Sequence, residues 1–418
     1  MNQALPEAIN PLHPPDPLDE EETVDAVTSQ PSSARTVPTE GGAEPDPEAA
    51  STAGPAGPGP RAERRPLLVP GWFASVMGTG IVGNAAVTLP GSSPGLRAAA
   101  TVVWSAAALL LLVLTACYVR QRALRLHAAD PMQVQFFGAP AMALLTVGAG
   151  AVQLGGPVIG ARAALDVDWV LWPLGTALGF ATACTVPYLM VTRHRFGPDA
   201  AFGGWLMPVV PALVSATTGA VLVPHAPPGQ PRLALLLGCY AMFGLGLLAV
   251  LLVLTMLYSR MVHHEAPTGA VVPTVWIGLG ALGQMVTGLG VLANVAPGAL
   301  SRPYAQAAGA AALFGGLAVW GFAVLWLTLA TALTVREFRA GRLPFATTWW
   351  SFIFPLGAFV TGTSALAART GSDLFLCVAV VFYVLLVAAW AVVSARSLAH
   401  AAAHARSGRG GRGGRRRR

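Results

Sequence analysis

Five threonine–glycine pairs recur along the chain at a nearly constant interval. MGTG places Thr79 beside Gly80, LTVGAG places Thr146 two residues before Gly148, ATTGA joins Thr218 to Gly219, VTGLG joins Thr287 to Gly288, and VTGTS joins Thr361 to Gly362. Successive threonines lie 67, 72, 69 and 74 residues apart. Two further Thr-Gly pairs, Thr268-Gly269 and Thr370-Gly371, fall outside this register. Hydroxyls, backbone N–H groups at helix breaks and the partial positive charge of helix N-termini replace part of an anion's hydration without holding it tightly. Covalent chemistry is less well served. MGTG has no strand before it and no GKS/T after it, so it is no phosphate loop. Cys117, Cys184, Cys239 and Cys377 stand singly in apolar surroundings and imply neither a disulfide framework nor a zinc site. All eight histidines fall in tails, breaks or span ends, and the i, i+4 pair His400 and His404 lies in an Ala-rich terminal stretch. No cofactor and no metal is expected, and the chain does not read as an enzyme.

The elements that must carry the repeat follow from composition. Of 418 residues, 54% are hydrophobic and 11% charged, and the mean hydropathy is +0.59, against about 25% charged in an average soluble protein. Every one of the 26 basic residues is Arg. Residues 1–65 hold 12 acids and 4 Arg in a Pro-, Glu- and Ser-rich run without apolar periodicity, and read as a disordered acidic tail with no signal peptide. Residues 401–418 add 7 Arg and no acid, and read as a solvated tail near anionic lipid rather than a nucleic-acid arm. Between them, residues 66–400 alternate apolar runs with short polar breaks, and each run is long enough to cross a hydrocarbon core of about 30 Å. Ten spans are predicted, at 67–89, 97–119, 132–154, 168–192, 203–223, 232–258, 271–293, 306–334, 347–367 and 373–398.

Arginine distribution orients them. The even breaks hold Arg120, Arg122, Arg125, Arg193, Arg195, Arg260, Arg336, Arg339 and Arg342, whereas each odd break holds one: Arg97, Arg162, Arg232, Arg302 and Arg369. The positive-inside rule then puts both termini in the cytoplasm. All five repeated pairs lie on odd spans, which also carry the disruptive Pro140, Pro208, Pro211 and Pro355; among even spans only the fourth has prolines, Pro173 and Pro187. Broken helices at membrane depth are tolerated where they are buried or line a watery cavity. The fold class is therefore an all-α integral membrane protein, five helical hairpins with the odd helices as an inner ring around a conduit. No Asp, Glu, His or Arg falls in the middle of a predicted span, so a proton relay is not expected. Asn84 and Gln284 are the carboxamides well inside odd spans; they either face the conduit or bond between helices. A polytopic membrane enzyme and a receptor-like protein without transport are the alternatives.

PGWFASVMGTGIV (Pro70 to Val82), DPMQVQFFGAPAMALLTVGAG (Asp130 to Gly150) and TTWWSFIFPLGAFVTG (Thr347 to Gly362) resemble the tellurite-resistance/dicarboxylate transporter family, which includes the plant slow-type anion channel, fungal malate carriers and yeast sulfite efflux pumps. The resemblance implies ten helices around a quasi-fivefold pore in each subunit, a homotrimer in the plasma membrane, small inorganic or dicarboxylate anions as cargo, membrane lipid but no nucleic acid as partner, and a phenylalanine on the ninth span closing the pore. Phe352 and Phe354 lie about 200° apart on a helix, so one of them faces the axis. Phe354 shares its stripe with Ala358, Thr361 and Ala365, and Phe352 shares a bulkier one with Leu356, Phe359 and Thr363. Phe354 is the expected gate. Pore-lining candidates are Thr79, Gly80, Asn84, Pro140, Thr146, Thr218, Gln284, Thr287, Ala358 and Thr361. Trp349 and Trp350 suit the membrane interface.

Overall fold

A computed structural model of the chain describes residues 68–414, with side chains as far as Ala403. The acidic segment 1–65 lies outside the described residues. Among those described there is no β-strand. The helices are α1 (Phe73–Thr88), α2 (Pro94–Gln121), α3 (Leu124–Ala129), α4 (Gly138–Gly150), α5 (Gly156–Ile159), α6 (Ala161–Thr192), α7 (Val210–Leu222), α8 (Gln230–His263), α9 (Trp276–Val295), α10 (Arg302–Arg339), α11 (Ile353–Thr370) and α12 (Asp373–Gly414). Eight helical segments are long and apolar enough to cross a membrane; α7, with the turn that follows it, is a shorter apolar helix, Val210–His225. α12 continues into the segment 401–418 as far as Gly414.

Two populations of helix differ in how much they hide. The segments Gly269–Gly298 and Thr347–Thr370 are 83% buried over their apolar windows, whereas α2 and the span Asp373–Ala403 are 17% buried. The second kind, α2, α6, α8, α10 and α12, exposes Leu112, Val170, Leu248, Phe314 and Val384, as a helix must whose solvent is hydrocarbon. The first kind, α1, α4, α7, α9 and α11, is apolar on every face and rich in Gly and Ala, which marks an internal helix. Contacts among these five close on themselves: α1 packs on α4, α4 on α7, α7 on α9, α9 on α11 and α11 on α1.

Each internal helix is entered through a 3-10 turn: Pro70–Trp72, Val134–Phe137, Gly203–Leu206, Gly269–Val275 and Thr347–Phe352. Prolines gather at the junctions. Pro140, Pro211 and Pro355 occupy the first turns of α4, α7 and α11, and Pro208 lies just before α7. A proline there removes an N–H that has no intrahelical acceptor anyway, so the break costs little. α6 departs from expectation, starting at Ala161 rather than at 168 and taking Asp168 two turns inside the helix, where it is fully buried. The predicted span began at Asp168 itself; the longer helix takes this acid from the span's edge to its eighth residue. The Arg162–Asp166 stretch reads as polar along the sequence, but helical spacing puts Arg162 and Asp166 on the exposed side and Ala164 and Asp168 on the buried one.

Each outer helix presses one aromatic ring onto the next internal helix. The Trp104 indole of α2 donates to Val147 O of α4 at 3.0 Å, and Trp172 of α6 to Ser215 O of α7 at 2.9 Å. Phe243 of α8 sits on Gly288 of α9, where a Cβ would come within 2.9 Å of the ring. Trp320 of α10 donates to Thr363 Oγ1 of α11 at 3.0 Å, and Trp390 of α12 to Thr79 Oγ1 of α1 at 3.2 Å. These five residues stand about 70 positions apart. In a bilayer, packing and interhelical hydrogen bonds replace the hydrophobic effect as the force between helices, so the rings are structural anchors. Trp104→Ala is expected to cost about 3–5 kcal/mol, and Trp104→Phe, which keeps most of the bulk and loses one hydrogen bond, about 1 kcal/mol. Thermal unfolding in detergent followed by gel filtration checks the order; equal losses would mean that the hydrogen bond, not the ring, is what matters.

Candidate functional site

The five 3-10 turns converge on a cavity of about 110 Å³. Its wall draws on all of them or on residues beside them, including Gly71, Phe136, Met207, Thr274 and Ser351. Beyond it lies a void of about 10 Å³ that shares Met77, Met207 and Ser351 with the larger cavity and adds Met142, Ile277 and Phe354. The volume of the second void is about the least that holds one water. None of the residues around either space is charged. Each of the five internal segments contributes at least one side chain to the narrow part: Met77, Met142, Met207, Ile277 and Phe354. The methionines are flexible and polarisable and fill irregular gaps well. A wider surface groove of about 760 Å³ runs along α10 between Leu327 and Arg339 and is lined by that helix alone.

The two phenylalanines of α11's entrance part company. Phe354 is 2% exposed and borders the narrow void. Phe352 packs edge-on against Trp276 and Trp349, with ring centroids 5.4 and 5.9 Å away. Trp349 also lies under the Arg396 guanidinium, 4.9 Å from its ring centre.

The remaining sequence candidates are distributed along the inner helices rather than gathered at that void. Thr146 donates to Met142 O at 2.7 Å, Thr218 to Val214 O at 2.8 Å, Thr287 to Gly283 O at 2.9 Å and Thr361 to Ala358 O at 3.0 Å. Thr146 and Thr218 thus commit their hydroxyl protons to their own helices, the usual arrangement for a threonine in a helix interior. Thr287 and Thr361 also meet across α9 and α11, their oxygens 2.8 Å apart. Thr79 receives the Trp390 indole, and Gly80 gives room to the Thr146 methyl, which a Cβ would approach to 2.8 Å. Ala358 lies where Gly283 brings the α9 backbone against α11. Asn84 donates to Thr146 O at 3.1 Å, and Gln284 accepts from Thr217 at 3.0 Å, so both carboxamides bond between helices. Pro140 is half-buried in the first turn of α4. The methionines of the narrow part were missed because a Met in an apolar run reads as ordinary core; the signal available was position, Met77 and Met142 each following the aromatic that ends a 3-10 turn, Trp72 and Phe137, within about a turn and a half, and Met207 directly following Leu206, which ends another.

One ionic cluster borders this end of the helices. Glu337, fully buried at the end of α10, accepts from Arg342 at 2.8 and 3.1 Å and from the backbone N–H of Gly269 at 3.3 Å. Arg336 adds a contact at 3.3 Å. Gly269 opens the 3-10 turn that leads into α9, so the cluster ties the end of one outer helix to the start of an internal segment. A buried carboxylate that loses its partners is strongly destabilising. The Glu337 hydrogen bonds hold the Arg342 guanidinium above its usual range.

Known proteins align with most of the chain. Over 337 residues the chain is 28% identical to a sulfite efflux pump of Trichophyton rubrum, covering 78% of this chain and 88% of that one. It is 28% identical over 305 residues to an uncharacterised transporter of Methanocaldococcus jannaschii, covering 71% of this chain and 82% of the relative. A sulfite efflux pump of Candida albicans is 22% identical over 314 residues, covering 69% of this chain and 64% of the pump. The voltage-dependent anion channel family matches residues 68–398, a stretch that contains all five internal helices and the void at Phe354, and the chain belongs to that family.

Proposed function

We propose that this protein releases a small oxyanion, sulfite in the first place, through a pore along the axis of its five internal helices, with Phe354 as the gate. Anion transport across a membrane follows from the family; the cargo is suggested by the sulfite efflux pumps that align with most of the chain. In this reading all ten helical segments span the membrane in quasi-fivefold order, the short α1 and α7 included. Both termini face the cytoplasm of a plasma-membrane homotrimer, and small anions, sulfite or a C4-dicarboxylate such as malate, are the range of cargo. The observation that carries the reading is the convergence of one side chain from every internal segment on an uncharged constriction at Phe354. Supporting it are the closed cycle of inner-helix contacts and the five outer aromatics in cyclic order. Thr79, Gly80, Asn84, Pro140, Thr146, Thr218, Gln284, Thr287, Ala358 and Thr361 line the pore or brace its wall, the threonine oxygens being adjustable once a helix moves.

A wall without carboxylates offers cations no counter-charge, and a hydrophobic constriction gates by size and by dewetting. Purified protein in liposomes under an asymmetric salt gradient is expected to show a reversal potential near the anion equilibrium value; one near the cation value would refute the anion path. Phe354→Ala is expected to raise sulfite flux several-fold per folded molecule, and Phe354→Leu to stay nearly closed. Phe352→Ala, which opens the cluster with Trp276 and Trp349, is expected to lower the yield of folded protein without raising flux. A Phe354→Ala variant no more conductive than the parent would place the gate elsewhere.

A further inference from the structure

Carboxyl groups are rare inside membrane-spanning helices and mark ion or proton sites when they occur. Asp168 is such a group. It stands eighth in α6 and is fully buried, and neither Oδ1 nor Oδ2 has a hydrogen-bond partner. The buried stripe it belongs to is otherwise small or apolar, with Ala164, Gly175, Gly179, Thr182 and Val186. Opposite lies Gly148 of α4, where a Cβ would overlap Oδ1; the glycine makes the space that the carboxyl fills. Just beyond, α4 gives way to a π-helical turn, Ala151–Gly155, which also packs on α6. Such turns loosen the regular ladder and recur at functional sites.

No counter-charge faces this carboxyl. The elements packed on α6 are α4, α5, α7, the π turn and the 3-10 turn Val134–Phe137, and none contains Asp, Glu, His or Arg. On α6 itself Arg162 stands six residues and Asp166 two residues before Asp168, both on the exposed side of the helix. A bare carboxylate in a dry interior is strongly disfavoured, and the group takes a proton instead. We propose that Asp168 is a proton-binding site of the membrane domain, occupied while α4 and α6 are packed together and emptied only when they part. α4 also carries Met142 against the void at Phe354, so the proton and the anion path share a moving part. Deprotonation draws the carboxylate toward water, separates α4 from α6 and eases passage at the constriction; anion flux therefore rises with pH.

Two measurements test this, and only the second rests on the transport reading above. Infrared spectra of the purified parent are expected to show the C=O stretch of a protonated carboxyl persisting to about pH 8, where water-exposed carboxyls are ionised. Asp168→Asn, nearly isosteric with the neutral acid, is expected to remove that band. Absence of the band in the parent, or its survival in the variant, would overturn the proton site. If the variant is not recovered by gel filtration, the parent band decides alone. In liposomes, flux of nitrate, whose own charge does not change over pH 6 to 9, is expected to rise severalfold with pH in the parent and to be flat in Asp168→Asn. Superimposable profiles would overturn the coupling. A persistent band with no nitrate flux at any pH would refute the transport reading and leave the proton site standing.

Discussion

Close approach of backbones is the constraint on which this fold rests. Inside a bilayer the lipid chains are as apolar as leucine, so helices associate only where their surfaces fit and their polar groups meet. α9 and α11 show what that requires. Gly280 lies against Pro355 at 3.1 Å, Gly283 meets the Ala358 backbone, and Gly362 meets Gly283 O at 2.9 Å, each measured from the Cβ that glycine lacks. Any side chain at these three points would wedge the pair apart. The same economy recurs between α4 and α6 at Gly175, and between α7 and α8 at Gly246, where leucine side chains already fill the space. Small residues at these contacts are therefore the reason the five inner helices can close into a cycle of contacts.

Tight packing along the axis shapes what remains open. Where the 3-10 turns splay, the cavity holds about 110 Å³; one turn further in, the methionines and Phe354 leave about 10 Å³. The turns touch their neighbours around the cavity, and the narrow part lies among the residues that follow them, so the opening belongs to the turns and the constriction to the start of the helices. Threonine hydroxyls deeper in the bundle bond to their own helices and, at Thr79, Thr287 and Thr361, to a neighbouring one, which stabilises the packing. On the proposed path, conduction needs movement of side chains at the constriction, where Phe354 is rigid and aromatic among flexible methionines.

The chemistry of the wall is as consequential as its width. Rings of carboxylates are one way a membrane protein selects cations, and here the two buried carboxyl groups among the described residues line neither the cavity nor the void. Glu337 is neutralised by Arg342 and Arg336 at the end of α10, and Asp168 is turned toward Gly148 between α4 and α6. What faces the cavity is apolar or uncharged: methionine, phenylalanine and valine side chains, with Gln133, Thr274, Thr347, Thr348 and Ser351 as its polar groups.

Apolar runs long enough to cross a bilayer, and the Thr-Gly repeat on alternate runs, were legible in the residues because both are local: span length follows from rise per residue, and the repeat is a matter of spacing. The division into inner and outer helices was legible too, since glycine and broken turns are tolerated only where protein surrounds them. Phe354 could be preferred over Phe352 from helical geometry and family resemblance together, and the structure places Phe354 at the void and Phe352 among Trp276 and Trp349. Tertiary structure alone decided the partners. That Thr79 takes the Trp390 indole, that Asn84 reaches Thr146 O, and that Met77, Met142 and Met207 meet are contacts between residues at least 62 positions apart, and no local pattern encodes which face of one helix meets which face of another. Asp168 was missed for a related reason: its burial depends on where α6 begins and on a glycine in α4, and a carboxyl two turns from a helix start reads as a polar end until the neighbouring helix is in place.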